Sequence, residues 1–385
     1  MVSFLPKKNS TVLVCDIGAG SVAVAVAEIR TGKASLVQSA KRSVLPQEER
    51  GESQRAQAIA RLLKETAVSV QETHAKGGGK TPTNVIAVVH SPWARSRTVH
   101  ADAELKSEME VVADVFDKLR EKALKDNPLK DDGTPFETEV VRTAVNGYST
   151  RNPVGKKGRS VGITLLESVL DKSVEHVFSA VLHELIPGAP VTMHSATFTQ
   201  TTLLREHAPQ TLSYTIADVT SESVSLTVIA EQSVMQHVVV PVGWRSIVRA
   251  LSTETGEEES SIQSSLRMLS DGTCETDACT ALAGKIDVLT PGYTDTFGTA
   301  FAQSAKTHRF PNLLFLFAPP DGARWFEGFL ARIDFAQFTS TARPFTVMPG
   351  GRGLLDARVV YTPQTTVDTG ISMVVTFAAA QSVRG

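Results

Sequence analysis

The segment Val14-Cys15-Asp16-Ile17-Gly18-Ala19-Gly20-Ser21-Val22 ends one apolar strand, turns on small residues and opens the next. A second segment, Asp218-Val219-Thr220-Ser221-Glu222-Ser223-Val224, lies on it without a gap. Asp16 then matches Asp218, Ser21 matches Ser223, Val22 matches Val224 and Val26 matches Val228. An internal duplication explains that register better than chance. Outward from the first copy, Thr11 to Ile17, Val22 to Ile29 and Ala34 to Ser39 read as three short strands, punctuated by Gly18, Gly20 and Gly32. Leu212 to Asp218, Val224 to Ala230 and Val234 to Val240 read as three more. A helix follows each set: one through Ile59, Leu62, Leu63 and Thr66 with Ser53 as its expected cap, the other from Trp244 to Leu251. Two units ending in Asp-bearing turns are thus set to face each other across a cleft.

The strand Asn84 to His90 completes the first unit, and the texture then changes. Glu108 to Lys125 has the spacing of a charged amphipathic helix. Glu139 to Tyr148 and Ser160 to Leu170 read as strands, Ser173 to Leu185 as a helix and Val191 to Phe198 as a strand. Residues 101–198 therefore read as a small inserted α/β domain. The first half takes residues 1–100 and resumes at 199–211. The second takes 212–252 and resumes at 311–385, around a mostly helical part at 253–310. In the resumed stretch Leu313 to Ala318 and Phe345 to Met348 read as strands, with a helix from Asp321 to Arg332 between them.

With 385 residues the chain exceeds a single core, and 42% apolar against 21% charged residues excludes disorder. Lys and Arg total 39 against 41 Asp and Glu, which excludes a generally basic nucleic-acid binder. Three cysteines, Cys15, Cys274 and Cys279, cannot build a disulfide framework, so a reducing cytosol is the expected home. The apolar run Ile371 to Ala380 is about half of the ~20 residues that a membrane-spanning helix needs.

A strand ending Asp-x-Gly, its later repeat and a central insertion together resemble the actin-like ATPase superfamily, two RNase-H-like halves around a cleft. The likeness is to its bacterial branch, the cell-division adaptor FtsA and the type IV pilus protein PilM. Val14 to Val22 resembles that branch's first phosphate motif. Val145 to Lys156 resembles the hairpin of its inserted subdomain, and Val238 to Arg245 resembles the strand and Gly turn before the second ATP-binding helix. The resemblance implies a cytoplasmic scaffold at the inner face of the membrane, with protein partners in division or, as the alternative, in pilus or secretion assembly. It also allows a homo-oligomer. A working ATPase or sugar-kinase-like phosphotransferase is a third reading, though no catalytic residue can be named for it.

By that resemblance Asp16, Gly18, Gly20, Ser21, Asp218 and Gly243 would line a Mg-ATP site, with Asp16 holding the metal through water. Glycines suit such turns because backbone N–H groups must approach phosphate oxygens closely. The second turn departs from this, with no glycine and with Glu222 where phosphate would lie. Two like charges ~4 Å apart cost about 4 kcal/mol at an effective dielectric of ~20. Ala23 replaces a lysine common in relatives, and Pro319-Pro320 replaces the late Gly-Gly turn. Binding of Mg-ATP is accordingly expected to be weak or absent. Arg151, Lys156, Lys157 and Arg159 crowd one Gly- and Pro-containing turn, the expected contact for an acidic partner or, weakly, for anionic lipid. His74 to Thr81 nearly spells a Walker A loop but lies between a helix and a strand in the wrong order, and reads as a plain loop. His176 and His183 lack a third metal ligand, and Cys274 and Cys279 lack a second pair.

Overall fold

A computed structural model describes residues 9–30, 32–44, 51–129, 133–150, 152–207, 212–230, 233–271, 273, 277–351, 358–362, 365 and 368–384. The first elements are β1 (Asn9–Ile17), β2 (Ser21–Arg30), β3 (Lys33–Ser43), α1 (Glu52–Lys76), β4 (Asn84–Val89) and β5 (Ala94–Glu110). Then come α2 (Ala113–Asp126), β6 (Gly133–Val145), β7 (Tyr148–Ser149), β8 (Lys157–Asp171), α3 (Lys172–Leu185), β9 (Val191–Ser195) and α4 (Ala196–His207). The second half opens with β10 (Tyr214–Val219), β11 (Val224–Ala230), β12 (Ser233–Val240), α5 (Trp244–Thr255), α6 (Glu259–Asp271) and α7 (Asp277–Ala305). It continues through β13 (Leu313–Phe317), α8 (Pro320–Leu330) and β14 (Thr346–Pro349), and the chain ends with β15 (Val359–Tyr361) and α9 (Thr369–Arg384).

Two sheets repeat one plan. The first runs β15-β3-β2-β1-β4-β9 and the second β12-β11-β10-β13-β14. In each, the Asp-bearing strand is antiparallel to the next strand in sequence and parallel to the one beyond it. Asp16 stands opposite Ala23, and Asp218 stands opposite Ser225. Both second strands carry a bulge at the same offset, Val26/Ala27 and Val228/Ile229. Both turns close with the same backbone bond, Gly18 N to Ser21 O at 3.0 Å and Thr220 N to Ser223 O at 2.8 Å. The duplication is structural in detail.

Along β2, valines and alanines alternate. Val22, Val24 and Val26 face the core shared with α1 and α3, while Ala23, Ala25 and Ala27 face the core shared with α9. Burial on both faces produces this near-continuous apolar run, and the small alanines give α9 room to lie close. That second core also takes in Tyr214, Ile216 and Phe315, so it runs between the two halves. The second half packs its outer core around Phe297, Phe301, Phe310, Phe335 and Phe345.

Five stretches differ from the sequence reading, one of them Ala196 to Phe198, which reads as the end of a strand and forms the start of α4. Residues 94–110 form one long strand rather than opening a helix at Glu108, and α2 begins only at Ala113. Gly51, not Ser53, precedes α1, with no side-chain cap. The strand β9, read as part of the insertion, extends the first sheet beside β4, and α3 packs on α1. The sheet that stands apart is therefore β5-β8-β6-β7 with α2, around its own core of Val99, Leu119, Val161 and Ile163. Finally, β15 joins β3 and α9 covers β1, β2 and β3, so the end of the chain returns to the first half rather than staying in the second.

Candidate functional site

Because β4 runs parallel to β1, with Val88 beside Asp16 and Val89 beside Ile17, the next residue leaves the sheet at the same end as the first Asp. That residue is His90, and its backbone N–H bonds Ile17 O at 3.0 Å. Its ring spans the two halves. Nε2 lies 2.8 Å from Asp16 Oδ1, and Nδ1 lies 2.8 Å from Asp218 Oδ2. Ionised carboxylates only accept hydrogen bonds, so both ring nitrogens donate, which only the imidazolium can do. Burial alone would lower the pKa of His90. The charges of Asp218 and Asp16, with their hydrogen bonds, outweigh it and hold the ring well above the ordinary imidazole value. No local motif marks His90; only its place one residue past the strand parallel to the Asp-bearing strand could have found it.

The turns themselves touch. A Cβ on Gly20 would strike the side chain of Ser221, and one on Gly243 would strike the backbone of Ser221 and Glu222. Gly243 precedes α5, whose first N–H groups bond the carbonyls of Thr220 and Ser221 at 2.9 and 3.0 Å. The sequence-derived set Asp16, Gly18, Gly20, Ser21, Asp218 and Gly243 thus belongs to the two apposed turns and the helix start behind them. Ser223 Oγ donates to Ser91 Oγ at 3.0 Å, a further link across the halves. Trp93 Nε1 donates to Gly18 O at 3.1 Å and fixes the first turn from behind. Ser91 and Trp93 are buried, so Ser91-Pro92-Trp93 forms a packed joint beside the first turn.

Glu222 is not a bare charge. Both its oxygens accept from Arg249, at 3.1 and 2.8 Å, and Arg55 of α1 approaches to 3.4 Å from the other half. Asp16 has more company. A Cβ on Gly370 at the start of α9 would strike its carboxylate, so the positive end of that helix lies against it. Lys41 Nζ pairs with Asp368 at 2.7 Å, and Asp368 in turn accepts from the backbone N–H of Ile371. Burial opposes the charge of Lys41, but Asp368 and Asp16 more than offset it and raise its pKa.

Gly20→Ala is expected to lower stability by about 1–3 kcal/mol, the usual cost of overpacking. Ser221→Gly should recover part of that loss, because the atom in the way is the Ser221 side chain, whose Oγ is buried without a hydrogen-bond partner. Urea unfolding of the two single variants and the double variant checks it. Strictly additive losses would mean that the turns do not meet.

The remaining candidates lie elsewhere. Lys156, Lys157 and Arg159 sit at the tip of the inserted sheet, and Arg151 lies outside the described residues. Lys157 stands opposite Glu110 of β5, and Lys156 Nζ donates to Thr150 Oγ1 at 2.7 Å, so a carboxylate lies beside a turn that looks purely basic in sequence. His74 bonds Lys80 O at 2.9 Å, and Gly79 packs on its ring, which makes the Walker-like stretch a loop folded back on its helix. Among the described residues no group of three or more His, Cys, Asp and Glu is placed to hold a metal ion. Cys274 lies outside them, and burial raises the thiol pKa of Cys15 far above the reactive range.

The repeated sheets, the cleft between them and the central insertion define an actin-like fold. Within it, the chain is similar to a chain of the "PilM-PilN type IV pilus biogenesis complex". The two share 12% identity with a TM-score of 0.64, over 96% of this chain and 98% of that one. Weaker likenesses include ethanolamine utilization protein EutJ from Carboxydothermus hydrogenoformans (11% identity, TM-score 0.44, 98% and 92% of the two chains) and a ROK hexokinase from Thermus thermophilus (14%, 0.34, 96% and 97%). No family model and no curated protein matches the sequence. Among the described residues no helix is long and apolar enough to cross a membrane.

Proposed function

We propose that this chain is a PilM-type actin-like adaptor, a scaffold that binds protein partners in a pilus-type assembly and does not turn over nucleotide. The observation that carries the second half of this reading is the His90 bridge between Asp16 and Asp218. A magnesium nucleotide in an actin-like cleft needs two carboxylates and two small-residue turns facing a gap. Here an imidazolium fills the space between the carboxylates, Gly20 meets Ser221, and Glu222 adds a carboxylate to the second turn. These residues do not fit the group. The likeness over nearly the whole of both chains supports a PilM-type reading.

Calorimetry with Mg-ATP should show no saturable binding tighter than about 1 mM, roughly −4 kcal/mol. Micromolar binding that Asp16→Ala abolishes would overturn the reading.

A further inference from the structure

We infer that the chain carries its own stand-in for a metal nucleotide, with His90 as the cation between Asp16 and Asp218 and Glu222 as the anion between Arg55 and Arg249, so that protein groups alone hold the cleft closed. This rests on the reading of the cleft as one that takes no nucleotide. Two observations carry it together. First, the carboxylate oxygens of Asp16 and Asp218 are separated by two 2.8 Å hydrogen bonds and the width of a ring. That span exceeds two direct Mg–O bonds of about 2.1 Å each and suits a cation that keeps its water. The imidazolium fills it and presents a donor to each side. Second, Glu222 projects from the second turn into a two-arginine fork, with Arg249 from its own half and Arg55 from α1 of the other. Arginine forks are the recognition geometry of phosphate and carboxylate alike.

The ties cross the cleft at separate points, through His90 to Asp218, Ser223 to Ser91, Arg55 to Glu222 and Gly20 against Ser221. Other charges near the bridge do not supply what His90 does. Lys41 from β3 is engaged by Asp368, and His237 from β12 is held neutral by burial, its pKa lowered to about 4. Hydrogen-bonded, oppositely charged groups placed on facing rigid elements fix a domain interface as a bound ligand would, without leaving when a ligand is hydrolysed or diluted.

The experiment uses the full chain and Mn²⁺ alone as probe, read by electron paramagnetic resonance, with hydrogen exchange of the peptides spanning 14–22 and 216–224 in parallel. Wild type is expected to show no Mn²⁺ binding below millimolar concentration and slow exchange in both turns. His90→Ala, which leaves two carboxylates facing a vacancy, should bind Mn²⁺ at least tenfold more tightly than wild type and exchange at least tenfold faster without it. Adding Asp218→Asn should remove the gained Mn²⁺ affinity. His90→Lys returns a cation to the gap and should keep the slow exchange, and it serves if the alanine variant does not fold. Equal Mn²⁺ affinity in wild type and His90→Ala would overturn the inference, as would fast exchange in His90→Lys, and either would leave the adaptor reading standing. Micromolar Mg-ATP binding by wild type would overturn that reading, and this inference with it.

Discussion

Glu137→Ala is expected to cost about 3–5 kcal/mol, the usual loss when one partner of a buried polar or ionic pair is removed. Glu137 sits on β6 with its side chain 2% exposed. One oxygen lies 2.8 Å from His194 Nδ1, and the other accepts from Ser195 N at 3.1 Å and Ser195 Oγ at 2.6 Å. Ser195 is where the first sheet hands over to α4, and its Oγ accepts the N–H of Phe198 in that helix's first turn. Ser168 of β8 donates to the same Oγ, and Ser96 of β5 bonds Ser168. Three strands of the inserted sheet therefore meet the body through one network centred on a carboxylate. Alanine would leave a backbone N–H, a hydroxyl and an imidazole without their acceptor. Glu137→Gln keeps the shape and should lose less, about 1–3 kcal/mol. Urea unfolding gives the size, and hydrogen exchange across 133–145 tests the cause. A large loss without faster exchange there would mean that the network does not anchor the insertion.

Much of the fold was legible because it is written twice. The pairing of Asp16 with Asp218 and of Val26 with Val228 returns as equal registers, equal turns and equal bulges. Apolar and small residues set those features locally. What could not be read is set by distant partners. Glu108 to Glu110 read as the first residues of a charged helix, yet Met109 and Glu110 pair with Gly158 and Lys157 of β8 and end a strand. Thr197, Thr199, Thr201 and Thr202 favour a strand by their branching, but the buried junction after Ser195 holds them in α4. The repulsion expected from Glu222 is offset by Arg55 and Arg249, which lie far from it in sequence and converge on it only in the fold. His90 belongs to no motif, and the parallel pairing of β4 with β1 is what turns an ordinary strand end into the bridge of the cleft.

Trp93→Ala should be comparably severe, about 3–5 kcal/mol, the range for deleting a large buried aromatic ring. The side chain is 1% exposed, stands edge-on to Phe178 of α3 with centroids 5.9 Å apart, and donates its indole N–H to Gly18 O. It therefore joins three things: the segment leading into the inserted sheet, the helix leading out of it, and the first turn of the cleft. Trp93→Phe would keep most of the apolar contact and lose only the donor to Gly18, so a loss of about 1 kcal/mol is expected. The pair of variants separates packing from turn support. If Trp93 instead lined a groove for a partner, alanine would leave the unfolding midpoint in place and remove only binding. Burial, the ring contact and the bond to Gly18 all argue for the opposite result: a shifted midpoint and faster exchange at Gly18 to Ser21, because the first turn keeps its shape against the second only while the indole holds it from behind.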